Sequence, residues 1–487
     1  MKRTKYIITF IILYSVGLNM NGYCQQIFSK TYGHFDFNYG KDVIIDSNGY
    51  YILGNTGYNN GNSAPMLIRT DTAGIIQKQN YQPSTEITSA TKFYKTHDKL
   101  YVCGSTNNTL TNDYDCFLSI YDTSLTLIRA IHFGGSSWDF ANDITGFDTL
   151  IYVVGQTYST SNGFSWGTIS KFNLSGDSLD TYYYGIDGEA SINSLTIRGD
   201  TELLFTGKYQ APDSLFPSAF IASANTNMIL NWNKNLSADL GKSVGNDIEL
   251  GIYNIILICG SSEKYSSTSM KDAFIYTVDV SGNYIRHEIF TGTVYAKDDE
   301  FLSIARTELG DFYITGNTNS FGSGSSDILF FKVNFTGYFL WSTSWGEIKD
   351  DISSSIKYSP SDTGFVVCGT STFFGNFNSN ILLIKTSQSL ILNNNPIHEL
   401  NVEDESSIAS NISCYPNPTI DNITISCAES NRIKFIELFD IRGQKIGFFK
   451  GNESENYTID IAKVPSQLLL LKISTDKGVY TKKIIKQ

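Results

Sequence analysis

Three features of the sequence predict an all-β chain built from seven copies of one unit. An apolar strand ending in glycine recurs seven times, closed by Gly54, Gly104, Gly155, Gly207, Gly260, Gly316 and Gly369, at intervals of 50 to 56 residues. Between strands stand turns of one type, such as Asp71-Thr72-Ala73-Gly74 and Asn334-Phe335-Thr336-Gly337. Aromatic residues make up 14% of the chain and charged residues only 17%, a composition of packed extracellular β structure and not of disorder. A period this regular in an all-strand pattern is the signature of a propeller with one blade per repeat. The predicted fold is a seven-bladed β-propeller of four-stranded blades, followed by a small Ig-like β-sandwich.

Taken in order, the chain opens on an export signal. Lys2, Arg3 and Lys5 precede an apolar run over 6–18, and Gly22-Tyr23-Cys24 offers a cleavage site before Gln25. That is the pattern of a secretory signal peptide over 1–24. The run is too short for a membrane anchor, and no later stretch approaches the ~20 apolar residues of a spanning helix. Bulky Tyr23 directly before Cys24 argues against lipidation.

The propeller is expected over 25–393. First strands are short, as in Asp42-Val43-Ile44-Ile45, and lead through a hairpin into second strands that read YYILG, LYVCG, IYVVG, LLFTG, IILICG, FYITG and FVVCG. These are apolar on both faces, as blades stacked face to face require; a strand with one wet face would alternate. The closing glycine implies a bulge or a backbone approach too close for a side chain. In the turns between third and fourth strands, an Asp or Asn able to bond its own backbone precedes a Gly free to take positive φ. Asp71–Gly74, Asn173–Gly176, Asp279–Gly282 and Asn334–Gly337 resemble calcium loops superficially, but lack the ligand run of one, and are read as structural.

Both ends of the repeat array are incomplete in complementary ways. The motif WSTSWG at 341–346 closes the sixth repeat, and FSKTYG at 28–33 is the same motif with no repeat before it. The seventh repeat runs out at 390–392. The N-terminal segment is therefore expected to supply the outer strand of the last blade, which removes the open edges of the ring. A monomeric propeller is expected.

Residues 394–410 are polar and acidic (Glu399, Glu403, Asp404, Glu405) and read as a linker. Residues 411–487 break the repeat, turn net basic, and alternate as short strands over 433–446, 468–473 and 479–485, which suits the small sandwich. Of the cysteines, Cys103, Cys259 and Cys368 share the slot before the repeat glycine and are expected as buried thiols. Pairing of Cys103 with Cys116, and of Cys414 with Cys427, is left open by the sequence, and no spacing resembles a zinc site.

Cys414-Tyr415-Pro416-Asn417-Pro418-Thr419, then FIELFDIRGQKI and the closing KGVYTKKIIKQ, resemble the type A sorting domain of the Bacteroidota type IX secretion system. In place of the Gly-x-Tyr common before the penultimate strand, this chain has Val464-Pro465-Ser466-Gln467-Leu468. The resemblance covers about the last 75 residues of 411–487, with Tyr415, Pro416, Asn417 and Pro418 as its sorting motif. It implies the secretion machinery as a partner, crossing of the periplasm and outer membrane, and cleavage of the tail afterwards. The repeats resemble the SBBP-like D-x-x-G-x-x-Y-[IV]-x-G-x-T repeats of exported proteins, a family with no single activity.

Motifs for chemistry are sparse. The net charge of −12 disfavours a nucleic-acid partner. Gly163-Phe164-Ser165-Trp166-Gly167 matches a nucleophile elbow but falls between two strands, without the helix that motif needs. The five histidines, His34, His97, His132, His287 and His398, form no metal or catalytic spacing. First strands carry Asp42, Asp143, Asn193, Asp247, Ser303 and Ser355, expected as a polar ring at the channel mouth. That ring could bind an axial cation, or bond neighbouring blades, which is the favoured reading. No cofactor is expected, with calcium as the one alternative. Loops between second and third strands carry Tyr58, Tyr114, Tyr158, Trp166, Tyr209, Tyr265, Phe321 and Phe373, and an inter-blade loop on the same face adds Trp138. Rings set among Ser, Gly, Asn and Thr make adaptable binding surfaces. The expectation is a secreted or surface-held module binding a glycan or protein on this face. A hydrolase or lyase using the channel-mouth carboxylates, and a purely structural adhesin scaffold, are the competing readings.

Overall fold

The computed structural model describes residues 27–34, 37–57, 61–81, 87–108, 113–160, 163–264, 270–290, 297–373, 378–387, 412–427, 432–439, 445–451, 454–465, 467–476 and 479–486. The expected signal peptide and acidic linker lie outside them. Two compact units form, Met1–Leu400 and Asn401–Gln487.

The first unit is a seven-bladed propeller. Blade one comprises Phe37–Asp46, Gly49–Gly57, Ser63–Thr70 and Ile76–Tyr81, each strand paired with the next in sequence. Later blades begin with Thr88–Lys95, Asp139–Phe147, Glu189–Arg198, Ser243–Leu250, Asp299–Arg306 and Asp351–Ser359. Each first strand packs beside the next, and the seventh returns to the first. As expected, the outer strand of blade seven is the N-terminal Phe28–Tyr32, antiparallel to Asn380–Thr386. Phe28 and Tyr32 are buried in the core shared by blades seven and one, and the Tyr32 hydroxyl donates to the Gly74 carbonyl at 2.7 Å.

Second strands are buried throughout, as in Ile255–Ser262 and Gly364–Ser371, because a neighbouring blade covers each side. The repeat glycine has a definite cause. Opposite it, every first strand carries a β-bulge, for instance between Ala141 and Asp143 or Phe301 and Ser303. The bulge swings a carbonyl across the sheet, so a Cβ on Gly155 would sit on the Phe140 carbonyl, and one on Gly316 on that of Glu300. No side chain fits there.

The second unit is a two-sheet β-structure. One sheet pairs Ile412–Tyr415, Asn422–Cys427 and Asn456–Asp460; the other orders Lys445–Lys450, Ile433–Phe439, Gln467–Thr475 and Val479–Lys486. Ile423, Ile425, Ile436, Leu438, Ile459, Leu471 and Ile473 fill its core. Its strands alternate buried and exposed, as in Asn422–Cys427. All six cysteines of the described residues are free thiols. Cys103 faces Leu118 across the ladder and Cys116 faces Ser105, so the pair is out of register.

Candidate functional site

The bulge sets the channel ring. In each first strand the residue after the bulge lines the axis, and the register gives Asp42, Lys92, Asp143, Ser194, Asp247, Ser303 and Ser355. Two corrections follow. The fourth blade contributes Ser194, because Asn193 is the bulged residue itself and its Nδ2 reaches the Gly245 carbonyl of blade five at 2.9 Å. The second blade contributes Lys92, a member that a search for acidic and hydroxyl residues passes over.

Ring members bond from blade to blade. Asp143 accepts from the Leu195 amide at 3.1 Å and the Ser194 hydroxyl at 2.9 Å; the same hydroxyl lies 2.8 Å from Asp247. Asp247 in turn accepts from the Ile304 amide at 2.8 Å, and Ser355 donates to Asp42 at 2.5 Å. Bulge residues add a second belt: Asn142 Nδ2 donates to the Ile192 carbonyl at 2.9 Å, and Asn246 Nδ2 to that of Phe301 at 2.8 Å. Charges are mixed along the channel. Burial would raise the Asp42 carboxyl, but Lys92 and Lys357, 3.9 and 4.0 Å away, hold it below its usual value. Asp143, with burial dominant, opposed by Lys92 and joined by Asp247, is pushed up to about 6. Burial and Asp247 push Glu249, one turn of the pleat deeper, up to about 7. With their oxygens committed to backbone amides and Ser194, Asp143 and Asp247 act as inter-blade staples.

The turn between third and fourth strands is the same device in six blades. Asp71 Oδ1 accepts from the Ala73 and Ile75 amides at 2.9 and 2.8 Å, and Asn334 Oδ1 from those of Thr336 and Tyr338 at 3.0 and 2.9 Å. Asp122, Asn173, Asn225 and Asp279 repeat it. These oxygens serve their own turn, as the sequence implies.

On the opposite face the expected rings divide. Tyr58 and Tyr265 lie outside the described residues. Tyr114, Trp138 and Phe140 form one cluster at the seam of blades two and three: Tyr114 stands 5.8 Å edge-on to Trp138 and 5.4 Å from Phe140. Trp138 is 47% exposed, and the Tyr158 amide donates to its carbonyl at 2.8 Å. Trp166 is half-buried edge-on against Tyr183, and Tyr209 is tied down by a 2.9 Å bond to Asp187. Phe321 and Phe373 are exposed on blades six and seven, and Phe164 on blade three. Second strands run on past the glycine to Gly57 and Asn108, so the connecting loops of blades one and two are shorter than a ten-residue repeat loop. Ser165 is fully buried and donates to the Ala190 carbonyl at 3.2 Å, so the elbow-like motif is structural.

The turn face holds a patch the sequence reading overlooked. Tyr253, Leu309, Phe335 and Tyr338 are exposed there on blades five and six, and the Tyr253 and Phe335 rings meet at 5.7 Å. Hairpin residues look like polar connectors until register places them side by side; the Ile252-Tyr253 and Leu309 signals lay in the apolar content of those hairpins.

In the second unit, the sorting motif is stapled to the last strand. Asn417 Oδ1 accepts from the Ile485 amide at 2.9 Å, and the Thr419 amide donates to the Ile485 carbonyl at 2.9 Å. Tyr415, Pro416, Asn417 and Pro418 remain exposed.

Residues 413–487 match the family described as a secretion system C-terminal sorting domain. No curated protein matches the chain. Among solved structures, the extracellular domain of a putative hybrid two component system from B. thetaiotaomicron is similar at 11% identity, with 92% of this chain and 55% of that one covered and a TM-score of 0.40. This chain thus spans about half the length of that structure. PorZ, a surface component of the type-IX secretion system of Porphyromonas gingivalis, is similar at 11% identity over 92% of this chain and 70% of its own, with a TM-score of 0.31. The β-propeller domain of the Trilobed protease from Pyrococcus furiosus is similar at 10% identity, over 72% and 95%, with a TM-score of 0.42. The sorting tail makes the chain an exported protein and the secretion machinery its partner.

Proposed function

We propose that the propeller is a non-catalytic binding module, carried through the periplasm and across the outer membrane by its tail, that takes a glycan or protein ligand on its loop face. The observation that carries this reading is the Tyr114–Trp138–Phe140 cluster. Its three rings fix one another, while Trp138 keeps nearly half its surface open to solvent. A rigid, preorganised ring offers contact area at little entropic cost. Exposed Phe164, Phe321 and Phe373 extend the same apolar character around that face.

A glycan array and a binding screen against host and bacterial surface proteins, both run with the mature protein, test the reading. Trp138→Ala should weaken the ligand found by about thirty-fold, the scale of an aromatic hot spot. Asp71→Ala, on the turn face, should leave affinity unchanged. Loss of binding on the turn face alone would overturn the assignment. A hydrolase would instead need Asp143 or Asp247 free to act, and Asp143→Asn would then abolish turnover of a polysaccharide or peptide substrate while leaving binding intact.

A further inference from the structure

We propose that the seam between blades six and seven holds a calcium ion, bound by the carboxylates of Asp327 and Asp351. Each seam brings two positions together: the start of a third strand, and the start of the first strand in the next blade. The Asp351 amide donates to the Ser326 carbonyl at 2.9 Å, as the Asp299 amide does to Lys271 at 2.8 Å and the Asn38 amide to Ser379 at 3.1 Å. Register puts carboxylates at both positions in three seams: Asp115 with Asp139, Asp272 with Asp299, and Asp327 with Asp351.

The seam of blades six and seven differs from the others in what satisfies the pair. Asp299 accepts from the Thr318 hydroxyl at 2.6 Å and the Ser320 hydroxyl at 2.6 Å; Asp139 accepts from the Ser159 hydroxyl at 3.2 Å and the Gly135 amide at 2.7 Å. Ser159 and Ser320 stand four residues after the repeat glycine. In blade seven that position is Phe373, which has no hydroxyl to give. Asp327 and Asp351 have no accessible surface, and Oδ1 of each is buried without a hydrogen-bond partner. Their Oδ2 atoms are held by the Gly324 amide at 3.0 Å and the Glu347 amide at 2.8 Å.

Walls of the seam are bare where an ion would need room. A Cβ on Gly346 would sit on Asp327 Oδ1, and one on Gly324 would meet the carbonyl oxygens of Glu347 and Lys349. A cleft lined by Gly322, Ser323, Ser344, Trp345, Gly346 and Glu347 opens beside them. Two unpaired carboxylate oxygens in a dry seam are costly unless a cation joins them. The donors are hard oxygens: carboxylates, hydroxyls and backbone carbonyls. Among the described residues no three His, Cys, Asp or Glu side chains converge on a point, which disfavours zinc and other transition metals. Few charged ligands and several neutral ones match the weak calcium sites of extracellular modules, with Kd on the order of 0.1–1 mM.

The test uses the full-length protein stripped with EDTA, then titrated with calcium alone, magnesium alone, or terbium. Calcium at about 5 mM should raise the melting temperature by roughly 1–3 °C, and magnesium should do less. Terbium emission should be sensitised through Trp345 at the cleft. Asp327→Asn should abolish both responses and, by removing one of two buried like charges, should melt no lower than wild type in EDTA. Asp299→Asn, at a satisfied seam, should keep both responses. Absence of a calcium response in the wild type overturns the proposal, as does its persistence in an Asp327→Asn/Asp351→Asn double variant. A purely structural pair would show as a lower melting point for Asp327→Asn with no calcium effect in either protein.

Discussion

The two faces of the propeller are made by different rules. On the turn face, six blades close with one self-satisfied Asp or Asn turn, with glycine at positive φ in four of them. Leu125 and Met228, both at φ 62 and both buried, take the glycine's place in the other two. On the loop face nothing repeats except the strand ends that the loops join, and each seam is finished with its own side chains: rings at Trp138, a carboxylate pair at Asp351. Regularity therefore marks the face that builds the ring, and irregularity the face left to contact something else. The turn-face patch around Tyr253 and Leu309 is the one feature that crosses this division.

Both faces depend on a closed ring, so the largest effect should come from opening it. Removal of residues 25–33 strips Phe28 and Tyr32 from the core of blades seven and one, two aromatic side chains worth together at least about 3 kcal/mol by burial, besides a whole strand of pairing. The melting temperature should fall sharply, and hydrogen exchange should speed first in 364–386. Unchanged stability would mean that the ring does not need its N-terminal strand.

A smaller effect belongs to a single turn. Asp71→Ala removes one acceptor from two backbone amides, and should cost about 1 kcal/mol in a denaturant titration, with no change in binding. Loss of binding by this variant would erase the distinction between the faces.

The channel supplies the smallest and most pH-dependent effect. A carboxyl raised to about 7 when folded, above its ordinary value of 4.5, binds its proton more tightly in the native state. Stability then declines as pH rises between those values, because the folded protein must ionise a group that prefers to stay neutral. Glu249→Gln should thus leave stability unchanged at pH 4 and raise it at pH 8 by roughly 1 kcal/mol, a figure discounted for water reaching a side chain 32% exposed. An equal gain at both pH values would locate the effect in packing.

Much of this architecture was legible beforehand because it rests on local rules repeated seven times. The glycine period, the Asp or Asn turn and the orphan FSKTYG segment each announce a backbone necessity that one side chain can reveal. The channel ring was only partly legible. A bulge shifts the register by one residue, and sequence spacing cannot say whether Asn193 or Ser194 follows it. Lys92 was missed because a lysine among acids reads as surface until the ring shows what neutralises Asp42. The seam at Asp327 and Asp351 was illegible for a third reason: its partners lie in different blades, and its signal is a hydroxyl replaced by Phe373 in only one of them.

The most direct measurement is hydroxyl-radical footprinting of the mature protein with and without its array-selected ligand. Protection should fall on Trp138, Phe164, Phe321 and Phe373, with Tyr253, Leu309 and Tyr338 as reactive as in the free protein. Protection of Tyr253 and Leu309 with Trp138 still fully reactive would place the ligand on the face assigned here to structure.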